Sequence, residues 1–331
     1  MPFKIVWKQT IGNSGTLFEI ELQAPLIAEK VSAGNFVMLR LNEQSERFPL
    51  FIADYDEYSG KITVVFQISG KSTKMLSLLK KGDEILDVVG PLGNKIELTQ
   101  YDDPIIIIGG GIGIAECYLQ AKELKKAGNE IISIISAKSK DLLIWKDRIY
   151  AVSDDSIVCT EDGSEGIKGN AIAPLKKILE NQKISLVIVV GPLGMMEDIS
   201  YITNGNTEYS RIKTLIALNT IMMCGMGVCG SCRYITKDNT SHFACTEGPI
   251  VDGHDVNYNY LLKRSLRYIY EEVIALKRYE EELNIISTLQ KIQETYGRLP
   301  PDILTYLAKK LKVPLSEISN IVKQHENLFC L

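Results

Sequence analysis

The chain has no apolar run approaching the roughly 18 residues of a membrane span. It has no basic block either, alone or interleaved with aromatics, of the kind that holds nucleic acid. Net charge is only −4 over 331 residues. Neither a membrane nor a nucleic acid is therefore an expected partner. The opening residues, MPFKIVWKQT, lack the apolar stretch that follows the positive charges of a secretory leader. Three of the seven cysteines, Cys117, Cys159 and Cys330, are scattered with no pairing pattern. The expected compartment is the reducing cytoplasm, where disulfides are rare.

The other four cysteines are concentrated. Cys224, Cys229, Cys232 and Cys245 follow the order C-x4-C-x2-C, a gap, then C. That is the ligand order of a plant-type [2Fe–2S] site. Three thiolates on one short loop require tight backbone turns, and Gly225, Gly227 and Gly230 supply them, since glycine takes positive φ without a Cβ clash. Arg233–Ile235 and Ser241–Ala244, joined by a polar turn at Lys237–Thr240, are expected to form a hairpin that delivers the fourth ligand. Zinc and buried structural thiols are the alternatives. Zinc sites usually offer two C-x2-C knuckles, and this stretch has one.

Before this loop the chain divides in two. Residues 1–98 carry short alternating runs, Lys4–Gln9, Thr16–Leu22, Asn35–Leu41, Lys61–Ile68 and Glu84–Val89, separated by turn residues, which suggests a β-barrel or sandwich. Inside it, Arg47 precedes a Pro-led strand, an arrangement suited to a phosphate and a flat ring, or simply a surface arginine. A strand also ends in Gly70-Lys71-Ser72-Thr73 before a helix expected over Lys74–Leu79, whose N-terminus would attract an anion. Residues 99–221 read as α/β. The apolar run Pro104–Ile108 runs into Gly109-Gly110-Gly111-Ile112-Gly113 and then a helix, the strand–glycine loop–helix order of a dinucleotide site. Further strands are expected at Glu130–Ser136, Ser156–Thr160 and Leu186–Val190, giving a doubly wound parallel sheet. The last leads into Gly191-Pro192-Leu193-Gly194-Met195-Met196, at a strand's C-terminal end, where open α/β sheets bind ligands. The two methionines suit a site or a core equally.

Residues 222–260 form the cluster-binding segment, too short for a usual domain and expected to lean on its neighbours. Residues 261–331 turn helical. Leu261–Glu282 is long and charged. Leu283, Ile286, Leu289 and Ile292 recur at helical spacing, as do Ile303, Leu304, Leu307, Ala308 and Leu311, and Pro314 opens a last helix. His325 and Cys330 are the tail's only candidate ligands, and neither is expected to bind a metal.

This order of a β-domain, a glycine-loop α/β-domain and a cluster loop resembles the ferredoxin–NAD(P)H reductase superfamily. ERFPLFIAD (46–54), VFQISGKSTKML (65–76), GPLGN (90–94), IIIIGGGIGIAECY (105–118), AKSKDLLIW (137–145), EDGSEGIKGN (161–170), VVGPLGMM (189–196), LNTIMMCGMGVCGSCR (218–233) and FACTEGPIVDGHDV (243–256) narrow the likeness. They resemble electron-transfer flavoproteins related to the dihydroorotate dehydrogenase electron-transfer subunit. The strongest resemblance is to the small (alpha) subunit family of NADH-dependent ferredoxin:NADP oxidoreductases, also described as sulfide dehydrogenases. The resemblance implies FAD held by Arg47, Pro49, Leu50 and the loop Gly70, Lys71, Ser72 and Thr73. It implies NAD(H), with NADP(H) left open, over Gly109, Gly110, Gly111 and Gly113, near Asp162, Gly163, Gly191, Pro192 and Met195. Three departures stand out. Glu116 and Gly194 occupy positions where relatives often carry Pro, and Cys224 stands where close relatives commonly have Asp. Residues 285–322 resemble the N-terminal helical bundle of the thioredoxin-like [2Fe–2S] subunit of NADH dehydrogenases.

The implied protein is a multidomain oxidoreductase subunit: an FAD-binding β-barrel, an NAD(P)-binding α/β domain, a [2Fe–2S] loop and a helical docking domain. No catalytic side chain is expected, because hydride and electron transfer are the cofactors' chemistry. The implied partner is a larger flavin and [4Fe–4S] subunit, with ferredoxin reached indirectly and electron bifurcation as the activity. The tail adds an NADH dehydrogenase-like flavoprotein subunit as a possible partner. The alternatives are a dihydroorotate dehydrogenase electron-transfer role and a non-catalytic assembly scaffold. The acidic residue that would bond a ribose 2′-OH at the end of the second parallel strand is not evident, and Ser136, Lys138 and Lys140 lie there instead.

Overall fold

A computed structural model of the protein describes residues 2–207, 209–265, 285–311 and 313–324. The chain forms two compact units, Met1–Gly191 with Ile199–Val256, and Pro192–Asp198 with Asn257–Leu331.

The first unit begins with seven antiparallel strands: β1 (Phe3–Ile11), β2 (Leu17–Gln23), β3 (Phe36–Arg40), β4 (Phe48–Asp56), β5 (Lys61–Gln67), β6 (Glu84–Ile85) and β7 (Asp87–Leu92). Their order in the sheet is β6-β1-β2-β5-β4-β3-β7. The two outermost strands, β6 and β7, are separated in sequence by Leu86 alone. The sheet must therefore curl until its edges meet, which gives a nearly closed barrel and removes most exposed edge. The expected run Glu84–Val89 is thus two strands on opposite edges. Ile5, Ile20, Leu22, Leu39, Ile62, Val64 and Phe66 fill the interior.

The second sheet has the order β11-β10-β9-β8-β12-β13-β16, with β8 (Ile105–Gly110), β9 (Ile131–Ala137), β10 (Asp155–Thr160), β11 (Ile167–Lys168), β12 (Leu186–Val190), β13 (Lys213–Ala217) and β16 (Ile250–Asp252). All its pairs are parallel except β13 with β16. Every residue of β8, β9 and β12 is buried, as expected of strands covered on both faces. The order reverses between β8 and β12, and that is the switch point where doubly wound sheets bind ligands. Helix α3 (Gly113–Lys126) follows β8 and buries Ile114, Ala115, Cys117, Leu119, Ala121 and Leu124. Lys125 and Lys126 complement the negative end of its dipole, and Gly128 in the left-handed region (φ +91°) terminates it.

The cluster segment adds the hairpin β14 (Arg233–Ile235) and β15 (Ser241–Phe243), paired as expected. The chain then returns to the large sheet as β16. Its attachment to the barrel is close. A Cβ on Gly225 would lie 2.9 Å from both Met38 Cγ and Leu92 Cδ1. Asn94 N–H donates to Gly248 O at 2.5 Å.

In the second unit, residues 258–265 are helical (α8). Helices α9 (Ile285–Tyr296), α10 (Pro301–Leu311) and α11 (Leu315–Gln324) follow. Leu289, Ile292, Ile303, Leu307, Ile318 and Val322 are each at most 1 % exposed. Helix α11 packs on both α9 and α10, so these residues are covered within the chain. Most of the long helix expected over Leu261–Glu282, together with His325 and Cys330, lies outside the described residues. Among the described residues, no helix is long and apolar enough to cross a membrane.

Candidate functional site

The four loop cysteines come together as two pairs. Cys232 and Cys245 are buried with their sulfurs 3.2 Å apart. Cys229 is exposed, and Cys224 beside it helps to lower its thiol. Gly225, Gly227 and Gly230 all take left-handed φ, +71°, +74° and +70°, the conformations that a loop wrapping a compact centre requires. Backbone N–H groups point at the sulfurs: Gly227 N donates to Cys245 Sγ at 3.1 Å and Met226 N to Cys224 Sγ at 3.4 Å. Such bonds tune the potential of an iron–sulfur centre. Ser231 Oγ lies 3.0 Å from Cys229 Sγ, and that hydrogen bond above all brings the Cys229 thiol down to about 6. Burial pushes Cys245 up to about 12, with its hydrogen bond to Cys232 adding to the rise.

Among the described residues, no group of three His, Cys, Asp or Glu side chains is arranged to hold a single ion. A tetrahedral zinc needs all four donors on one centre. Two irons sharing a small cluster need two donors each, and two thiol pairs on a glycine-hinged loop suit the binuclear group. Cys245 itself stands in the short helix α7 (Ala244–Glu247) that follows the hairpin.

The barrel candidates occupy β4 and the helix after β5. Pro49 and Leu50 pair with Met38 and Val37 of β3, while the register of β4 with β5 begins only at Ile52. The first residues of β4 thus have a locally open flank, and this explains how a proline is tolerated in an interior strand. Arg47 is exposed, with its guanidinium 3.2 Å from Asp87 Oδ2, and Arg40 approaches the same carboxylate at 3.6 Å. Helix α2 (Lys71–Leu78) starts three residues earlier than expected, so Gly70 is its N-cap and Lys71, Ser72 and Thr73 form its first turn. Thr73 Oγ1 accepts from Ser69 N and Gly70 N and donates to Gly70 O. Thr73 therefore braces the helix start rather than reaching outward.

The glycine loop divides its labour. A Cβ on Gly109 would lie 2.8 Å from Ile114 Cα, and one on Gly113 2.3 Å from Val190 O, so both keep helix, strand and switch point in close contact. Gly111 differs. It takes φ +57°, and the space its Cβ would fill is open, as a turn cradling a pyrophosphate requires. Gly110 ends β8 opposite Ser136. Asp162 caps its own turn, its Oδ1 accepting from Ser164 N at 2.9 Å and Ser164 Oγ at 2.6 Å, bonds that hold its carboxyl below the usual range. Gly163 turns there with φ +76°. Asp162 N also donates to Lys138 O, which draws this acidic loop to the end of β9, where the sequence offered only serine and lysines. Gly191 follows β12 directly. Pro192 and Met195 belong to the second unit, with the first part of helix α6 (Leu193–Ile202). Met196 is 2 % exposed and is core, while Met195 is half-buried.

Residues 219–257 match the family model described as the iron–sulfur cluster binding domain of dihydroorotate dehydrogenase B. A Thermotoga maritima protein described as a homolog of the dihydroorotate dehydrogenase B (NAD(+)) electron transfer subunit is 39 % identical over 263 residues, covering 80 % of this chain and 91 % of its own. The chain belongs to this family of electron-transfer subunits. A Streptococcus pneumoniae dihydroorotate dehydrogenase B (NAD(+)) electron transfer subunit is 31 % identical, over 75 % of this chain and 96 % of its own. The fold matches the structure of an NADH-dependent reduced ferredoxin–NADP oxidoreductase, reported in connection with flavin-based electron bifurcation. It does so with a TM-score of 0.76 and 37 % identity, covering 83 % of this chain and 97 % of that one. As a member of this family the protein carries an iron–sulfur binding domain on a ferredoxin-reductase-like fold.

Proposed function

We propose that this electron-transfer subunit links NAD(H), FAD and a [2Fe–2S] cluster to a larger flavin and [4Fe–4S] subunit. The proposed setting is a cytoplasmic, electron-bifurcating assembly of the NADH-dependent ferredoxin:NADP oxidoreductase type. The pairing of four thiols on a loop seated against barrel strands β3 and β7 carries the reading. When bound, FAD takes a hydride's two electrons together and the cluster moves electrons singly.

The chain's own residues would bind and orient. Cys224, Cys229, Cys232 and Cys245 would hold the cluster. Arg47 would exchange its exposed pairing with Asp87 for a flavin phosphate, a small loss because exposed ion pairs contribute little. The open flank of β4 at Pro49 and Leu50 would meet the flavin ring. The first turn of α2, from Gly70 to Thr73, would offer N–H groups to the pyrophosphate. Gly109–Gly113 would cradle the dinucleotide, with Asp162 and Gly163 toward its ribose and Gly191, Pro192 and Met195 toward its nicotinamide. No side chain is assigned a proton transfer.

Absorbance, iron and flavin analysis of the purified full chain test this directly. Two irons and one FAD per chain are expected, with the flavin bleached by NADH. In Cys224→Ser the cluster bands should weaken or vanish while the flavin stays. A colourless protein would leave only a scaffold role. The family match over residues 219–257 also favours a second reading, service to a dihydroorotate dehydrogenase. The subunit that co-purifies with the native protein separates the two.

A further inference from the structure

Tyr296 ends α9, and Gly297 follows with φ +86°. Within the second unit these residues lie against residues 192–198. A Cβ on Gly194 would stand 2.5 Å from Tyr296 O, and one on Gly297 3.0 Å from Pro192 Cβ. The Tyr296 hydroxyl donates to the Glu197 carboxylate. Arg298 donates to Asp198 Oδ2 at 2.9 Å and lies 3.7 Å from Glu197 Oε2. The Tyr258 hydroxyl donates to Met196 O at 3.3 Å. All these contacts fall on one turn and the start of one helix, the stretch that holds Pro192 and Met195.

Two features go beyond packing. The space a side chain at Gly194 would occupy is taken by the Tyr296 carbonyl. The missing side chain in the turn is matched by a feature of the tail. In addition, Glu197 and Asp198 place two carboxylates in the first half of α6. Carboxylates there oppose an anionic ligand at the same helix start, and Arg298 offsets both.

We infer that Tyr296 and Arg298 are positioning residues for the dinucleotide turn. They set the pose of Pro192–Met195 and balance the charge beneath it, so affinity for the nicotinamide dinucleotide depends on the helical tail. The inference rests on the reading of this turn as a dinucleotide site.

The test uses the full-length holoprotein, NADH and an artificial dye as acceptor, with FAD and cluster occupancy followed by absorbance. Arg298→Ala and Tyr296→Phe should each raise KM for NADH about fivefold, the low end of site-to-site coupling. The value of kcat should stay within about twofold and both chromophores should be retained. Arg298→Lys should restore most of the affinity, since it restores the charge. An unchanged KM in both variants, or KM and kcat failing together with loss of flavin, overturns the inference. Gly111→Ala serves as the control for the underlying reading. If it raises KM while the tail variants do not, the tail inference alone fails. If Gly111→Ala leaves NADH affinity unchanged, the dinucleotide reading fails and the tail inference with it.

Discussion

Two carboxylate-centred junctions in this molecule differ in how deeply they are set. Inside the first unit, Glu19 on barrel strand β2 is 1 % exposed. It accepts from Trp145 Nε1 at 2.9 Å, Arg148 Nη2 at 2.9 Å and Gln9 Nε2 at 3.1 Å. Trp145 and Arg148 belong to the α/β part, at the start of α4 (Lys146–Ala151). Lys122 of α3 adds a 2.6 Å pair with Asp54 of β4. Inside the second unit, Glu197 and Asp198 meet the buried Tyr296 and the partly exposed Arg298, and both carboxylates are themselves partly in water. A buried carboxylate ringed by donors is costly to disturb, because removing one partner strands another. A half-exposed one can part and re-form, since water replaces the lost partner. The barrel and the parallel sheet are thus fixed to each other, as electron transfer between groups on the two requires. The tail's hold on α6 suits adjustment.

The largest effect should come from the buried junction. Glu19→Ala leaves the Trp145 indole N–H buried without its acceptor and should cost about 3 kcal/mol of stability. Urea unfolding followed by flavin release would measure it. A loss below about 0.5 kcal/mol, the level of an ordinary surface change, would erase the contrast between the two junctions. Gly194→Ala should cost less, about 1–2 kcal/mol, because a Cβ 2.5 Å from Tyr296 O forces a backbone shift. Its loss should appear in unfolding of the helical unit while flavin and cluster absorbance persist. Loss of the chromophores at the same denaturant concentration would show that the two units are not independent.

Much of this was legible in the sequence wherever period and turn chemistry agreed. The runs that became β8, β9, β10 and β12, the glycine loop and the cluster hairpin were all visible, because local pattern and tertiary role coincide there. Lys213–Ala217 and Ile250–Asp252 were missed as strands. They are short, and their pairing is a long-range event that no local period announces. Helix α2 begins three residues before the expected Lys74 because Thr73 Oγ1 bonds back to Ser69 N and Gly70 N and so starts the helix at Lys71, a local closure that period alone does not announce. The cysteine set was plain from spacing, yet the two-pair arrangement needed coordinates. Nothing local could show that the tail's apolar residues would pack among themselves, nor that Gly194 makes room for Tyr296.

Glu116 sharpens the comparison from a third side. It occupies the first turn of α3. Glu19 is surrounded by donors, but burial alone drives the Glu116 carboxyl up to about 8 from an ordinary value of 4.5. Between those two values the folded protein holds a proton that the unfolded chain has released. Stability therefore falls as pH rises from about 4.5 to about 8 and levels off above that. Glutamine has nearly the shape of the protonated acid and cannot ionise. Glu116→Gln should be neutral at pH 5 and stabilising at pH 9, by about 1 kcal/mol after allowance for solvent reaching a half-buried group. That corresponds to roughly 2–4 °C in Tm. Thermal melts of both proteins across this range decide the matter. Converging curves at low pH and a growing gap up to pH 8 are expected. Curves that run parallel would show that Glu116 is ionised in the folded state, and that it has donors after all, as Glu19 does.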